Sequence, residues 1–118
     1  MSEPAAQPLM IHTSTQGGAT VIALVGSADI DQGEPLRRQL REAAAAAPGN
    51  VVLDLHQLSF ICSTWLSVLI QLYKEARTRG AQIRLARPVE AIAKMLHTTR
   101  LTAIMPVYDT LEQAVEEA

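Results

Sequence analysis

Two short apolar runs, TVIALV at 20–25 and VVLDL at 51–55, each stand beside a longer segment of helical periodicity. Runs that are apolar almost throughout suit strands covered on both faces, which is how strands of a parallel sheet lie between helices. A chain built on such runs has few ways to fold. Strands and helices must alternate, with crossovers that return over the sheet in the right-handed sense.

The other elements fall into order around these runs. Residues 1–8 are small, polar and proline-bearing and are expected to form a flexible N-terminal tail, leaving 9–118 as one domain. Residues 9–15 read as a short strand, Gly17-Gly18 supplies the positive φ angles of a tight hairpin, and 20–25 is the partner strand, closed by Gly26. Asp31 and Glu34 have the spacing of a capping box, and Pro35 suits a first turn. Leu36, Leu40, Ala43, Ala44 and Ala47 then mark the inner face of a helix that Pro48-Gly49-Asn50 ends.

After 51–55 come a turn and a helix reaching about Arg79, stopped by Gly80. Residues 82–87 alternate, with Ile83 and Leu85 inward, as an outer strand does. Pro88 opens a helix carrying Val89, Ile92, Ala93 and Leu96, and 104–108 is a last strand. Asp109 or Thr110 caps a final helix with Leu111, Ala114 and Val115 on its inner side. The fold class is α/β: a mixed β-sheet opened by an antiparallel hairpin, with helices packed on it.

A chain of 118 residues, 48% apolar, is long enough to bury one core. Ten Lys and Arg against twelve Asp and Glu give a net charge of −2, which gathers neither nucleic acid nor an anionic membrane. Arg37, Arg38 and Arg41 are the densest basic group, but they share their helix with Glu34 and Glu42 and read as a solvated face. One Trp, two Tyr and one Phe make no platform for bases. Neither GxGxxG nor GxxxxGK[ST] follows a strand, so a nucleotide-binding enzyme is disfavoured and no cofactor is expected. His12, His56 and His97 lack ligand spacing, and no metal is expected. A single cysteine, no secretory leader pattern and no apolar run near 18 residues predict a cytoplasmic protein without membrane insertion.

The stretch FICSTWLSV, 60–68, sits where ligands and partners collect in such sheets, beyond the carboxyl end of a strand. With Ser63 at zero on a helical wheel, Ser67, Gln71, Lys74 and Thr78 fall within about 80° of it. Leu66, Leu69, Ile70, Leu72, Tyr73 and Ala76 take the opposite arc, so Ser63 heads a polar row. A phosphate at a helix N-terminus is favoured by roughly 0.3–1 kcal/mol. It also adds about −1.5 to −2 of charge to whatever surface a partner must meet.

Local chemistry leaves alternatives open. Ser63 or Thr64 can be simply the helix cap. Trp65, near the apolar arc, is a core anchor or a partner hot spot. Cys62 is a small buried residue or a thiolate activated by the helix N-terminus, with His56, six residues away, as the base of a remote Cys62-dependent enzyme.

The run VVLDLHQLSFICSTWLSVL, the helix-strand-helix-strand order after it and the ending MPVYDTLEQAVEEA resemble a STAS domain of the bacterial anti-sigma factor antagonist family. TVIALVGSADIDQGEPLRRQL is similar to that family's second strand and the acid-bearing turn before its first helix. The resemblance implies a regulatory interaction module and not an enzyme. In the family this turn commonly reads Asp-Ser-Ser/Thr-Gly-Leu, and a partner kinase that is itself the anti-sigma factor phosphorylates the first hydroxyl. Carried over, that hydroxyl is Ser63, with Thr64 as second choice and Leu66 at the core position.

The implied partner is a GHKL-type serine kinase, and the expected partner-binding face is Asp29, Cys62, Ser63, Thr64, Trp65 and Ser67. Three positions depart from the family pattern: Cys62 for Asp, Trp65 for Gly, and Arg100 for a frequent Gly before Leu101. The first two favour an alternative, a non-phosphorylated STAS scaffold or subunit of a signalling or lipid-transport assembly.

Overall fold

The computed structural model of the chain describes residues 9–28 and 34–116. Strands β1 (Met10–Gln16) and β2 (Ala19–Ala28) form an antiparallel hairpin whose register closes at Gln16 opposite Ala19. Gly17 and Gly18 have φ of 54° and 84°, as a two-residue turn of this hand requires. Helix α1 (Glu34–Ala45), β3 (Val51–Asp54), β4 (Leu58–Ile61), α2 (Ser63–Thr78), β5 (Ile83–Ala86), α3 (Glu90–Thr98), β6 (Val107–Tyr108) and α4 (Leu111–Glu116) follow. The sheet runs β1-β2-β3-β5-β6, with β4 paired to β2, and every pair except the hairpin is parallel.

The predicted class stands: a single α/β domain with a mixed sheet. Helices α1, α2 and α3 cover one face, through Leu40 and Ala44, Leu66, Leu69 and Leu72, and Ile92 and Leu96, against Ile22, Leu24, Val51, Leu53, Ile83 and Leu85. Among the described residues, helix α4 covers the other face, seating Ala114 in a smaller cluster with Val21, Val52 and Ala86. Thr110 caps it by accepting the Gln113 N–H at 3.1 Å.

Four expectations need correction. Strand β2 does not end at Gly26; it pairs with β3 through Ala23 and then with β4 from Gly26 to Ala28. Strand β4 is an addition to the order read from the sequence, which places no strand between the turn after β3 and the helix. Strand β5 is not outer. It lies between β3 and β6 with all four residues buried, because α4 covers the face that Arg84 and Ala86 occupy. The last strand is only Val107–Tyr108, preceded by a 3-10 turn at Leu101–Ala103 that Arg100 enters at φ 66°. The Asp31 half of the proposed capping box and the tail at 1–8 lie outside the described residues.

Helices α1 and α2 run parallel, side by side. The Arg79 guanidinium at the end of α2 donates to the carbonyls of Ala44 and Ala47 at 3.2 and 3.0 Å. Arg41, a turn earlier, reaches Glu75 at 3.4 Å. The starts of the two helices therefore lie at the same end of the domain, at the carboxyl ends of β2 and β4.

Candidate functional site

The site forms where β4 hands over to α2. Gly26 pairs with Leu58 and Ser27 with Phe60, so Ser59 is an extra residue, a β-bulge. The Ser59 hydroxyl closes the irregularity by donating to the Gly26 carbonyl at 3.0 Å. The bulge turns Phe60 outward, to 44% exposure, while Leu58 and Ile61 stay buried. Cys62 N–H then donates to the Ala28 carbonyl at 3.0 Å, joining the end of β2 to the start of α2.

Cys62 is the cap residue, with extended backbone at φ −92° and ψ 171°, and its carbonyl accepts the Leu66 N–H at 3.0 Å. Neither Ser63 nor Thr64 holds the cap position, which corrects that alternative; both lie in the first helical turn. Ser63, Ser67, Gln71, Lys74 and Thr78 are all exposed, as the polar row requires. The Ser67 hydroxyl donates to the Ser63 carbonyl at 3.2 Å, leaving the Ser63 side chain at the head of the row. Thr64 and Cys62 are half-buried.

Trp65 is 1% exposed and joins the core beneath the turn, so its ring supports the surface from behind instead of meeting a partner. The structure thus gathers Cys62, Ser63, Thr64 and Ser67 at one rim, with Trp65 and Leu66 as its base. Asp29 lies outside the described residues; its neighbour Ala28 is bonded to Cys62. Phe60 is the rim residue that the sequence reading missed. Its exposure follows from a bulge that only the strand pairing reveals.

A second polar cluster braces the turn between β3 and β4. Arg87 donates from Nε and from a terminal nitrogen to the two carboxylate oxygens of Asp54, both at 2.9 Å. The His56 N–H adds a bond to Asp54 Oδ1 at 3.3 Å. Arg87 has φ 44°, a left-handed backbone that costs a non-glycine residue about 1–2 kcal/mol, and this fork holds it there. Burial alone would raise the Asp54 carboxyl, but the Arg87 fork and the His56 N–H outweigh it and hold it below its ordinary 3.8.

A carboxylate depressed in this way contributes stability above its unfolded value and loses it as pH falls through the folded one. The melting temperature of the wild type should therefore drop toward that of Asp54→Asn as pH is lowered from 6 through 3.8 and below, as thermal unfolding at each pH will show. A constant gap between the two across that range would remove the carboxylate from the account.

Cys62 and His56 lie at opposite ends of β4, whose four residues span about 10 Å, which separates the pair that a cysteine nucleophile and its base would need. Among the described residues, no group of three or more His, Cys, Asp or Glu could hold a metal ion. No helix among them is long and apolar enough to cross a membrane.

The family model described as the STAS domain matches residues 10–114. The anti-sigma F factor antagonist of Paenibacillus polymyxa is 27% identical over 110 residues, covering 92% of this chain and 94% of that protein. A crystal structure of an anti-sigma factor antagonist from Mycobacterium paratuberculosis superposes with a TM-score of 0.81 at 22% identity, over 91% of each chain. The Bacillus cell fate determinant SpoIIAA in its phosphorylated form superposes with a TM-score of 0.68 at 20% identity, over 91% of this chain and 97% of that one.

Proposed function

The chain belongs to the STAS domain family, and from that premise we propose that it is an anti-sigma factor antagonist switched at Ser63. One observation carries this reading. Ser63 is an exposed hydroxyl in the first turn of α2, on a base made rigid by buried Trp65 and Leu66. A kinase can approach such a hydroxyl, and a partner docking over the same turn must lie against it.

The partner is a GHKL-type serine kinase that is also the anti-sigma factor. It transfers the γ-phosphoryl of ATP to Ser63 Oγ; the hydroxyl proton passes to the kinase's base and ADP leaves. Unmodified, the rim of Cys62, Ser63, Thr64 and Ser67, extended by exposed Phe60, binds the partner and frees the sigma factor. Modified, it carries about −1.5 to −2 of added charge in the contact, which is enough to end a neutral or acidic docking.

The test is a binding titration with the kinase encoded nearest to this gene. Ser63→Ala should bind as the unmodified protein does, and Ser63→Asp at least tenfold more weakly, about 1.4 kcal/mol. Intact-mass analysis of wild type after incubation with kinase and ATP should show one added phosphoryl, absent from Ser63→Ala. Equal binding by the two variants, with no added mass, would support the non-phosphorylated scaffold instead.

A further inference from the structure

Strand β1 is the longest open edge of the sheet among the described residues: β2 pairs with one side of it, and no strand pairs with the other. Folded chains blunt such edges by keeping them short, bulged, charged or interrupted by proline. The other outer strands here are blunted in this way, β6 by a length of two residues and β4 by four residues and the bulge at Ser59. Strand β1 has none of these devices. MIHTSTQ runs seven residues in unbroken register without proline, and no Asp, Glu, Lys or Arg occurs between Glu3 and Asp29.

The hairpin register says which backbone groups face outward. Gln16 and Ala19 close a two-residue loop and so exchange both backbone bonds, and alternation then turns Ile11, Thr13 and Thr15 away from β2. The Thr20 N–H agrees with this phase, since it donates to the Asn50 carbonyl on the β3 side while Thr20 stands opposite Thr15. The N–H and C=O groups of Ile11, Thr13 and Thr15 therefore line the open edge, with no other partner among the described residues. Thr13 and Thr15 are exposed, so no helix overhangs the middle of the strand.

We infer that this edge pairs with the same edge of a second copy of the chain, antiparallel about a two-fold axis at Thr13. Thr13 then meets its own counterpart and Ile11 meets Thr15 in both directions, each pair exchanging two backbone bonds. Within Met10–Gln16 no other antiparallel register uses all three outward residues. The absence of charge selects this occupant. A charged extended segment of another protein would find no counter-charge along the edge, whereas an identical strand needs none. Met10 meets Gln16 and His12 meets Ser14, so like charges are opposed nowhere, and Thr faces Thr, a favourable cross-strand pair.

The pairing goes beyond the reading of Ser63 and does not depend on it. Because β1 and β2 are antiparallel, the two-fold axis sends the α2 starts of the two copies to opposite ends of one continuous sheet. Both rims stay open, and the dimer can hold two partners at once.

Sedimentation velocity over a concentration series should show the wild type passing from monomer to dimer below about 1 mM. Thr13→Lys and Thr13→Glu, each alone, should weaken the dimer at least tenfold, because like charges then face each other across the axis. Mixed in equal amounts, the two should dimerise at least tenfold more tightly than either alone, a rescue that requires position 13 to face itself. In the wild type, amide exchange at Ile11, Thr13 and Thr15 should slow as concentration rises, while exchange at His12 and Ser14, already bonded to β2, should not.

A chain that stays monomeric throughout would overturn the inference and leave the edge to a strand of another protein. So would a dimer that both variants form as readily as the wild type, or a mixture no tighter than either variant alone. Exchange at Ile11, Thr13 and Thr15 that ignores concentration would overturn it without recourse to any variant.

Discussion

Trp65→Ala should lower the stability of the domain by about 3–5 kcal/mol, the usual cost of removing a large buried aromatic ring. For a domain of this size that is a fall in melting temperature on the order of 10–20 °C, read by circular dichroism. The ring is 1% exposed and belongs to the same core cluster as Ile61, Leu66 and Leu69, on the first turns of α2 and the strand before it. Its loss opens a cavity directly beneath the first turn of α2, so amide exchange at 62–66 should quicken more than exchange in β2 or β3.

Trp65→Phe keeps most of the packing and should cost less than half as much. Trp65→Gly should be worse than alanine by about 0.5–1 kcal/mol, because glycine weakens a helix. A loss below 1 kcal/mol for Trp65→Ala would mean that the turn is held by something other than this ring.

What the sequence revealed, and what it hid, follows from the range of each signal. The polar row from Ser63 to Thr78 was legible because helical periodicity needs only the residues of one helix. The hairpin was legible because Gly17-Gly18 announces positive φ locally. Strand β4 was not: LSFI is four residues, too few to set a period, and the bulge at Ser59 leaves Phe60 outward and Ile61 inward. The place of β5 was hidden for a related reason. Its alternation looked half-solvated because Arg84 is charged, and only the packing of α4 shows that arginine to be buried.

At the site, capping preference pointed to Ser63 or Thr64, yet the backbone bond from Leu66 to the Cys62 carbonyl sets the helix start one residue earlier. The Asp54–Arg87 fork joins residues 33 apart, with no local pattern to mark it. The basic group Arg37, Arg38 and Arg41 was legible as a solvated face from its own helix: Arg38 and Arg41 are exposed, and Arg41 reaches Glu75 at 3.4 Å.

Arg84→Ala should cost about 2–4 kcal/mol, combining a cavity with a buried carbonyl left without its donor. Arg84 is 2% exposed, a buried cation lying under α4. Its Nε donates to Gln82 Oε1 at 3.0 Å and a terminal nitrogen donates to the Ala114 carbonyl at 2.9 Å. Helix α4 is six residues long, too short to persist by itself, so it depends on this bond and on the seating of Ala114, Leu111 and Val115.

Hydrogen exchange should therefore show α4 losing protection first in Arg84→Ala, by at least tenfold, while amides in β3 follow only the global change. Arg84→Met, which keeps length and apolar bulk but no donor, separates the two contributions: stability near the wild type would assign the effect to packing, and stability near Arg84→Ala to the bond. If Arg84→Ala leaves both stability and α4 protection intact, the helix is held by its apolar contacts alone. The proposed partner surface lies at the start of α2, whose helix packs on the opposite face from α4, so partner binding by Arg84→Met should match the wild type at temperatures where both are folded.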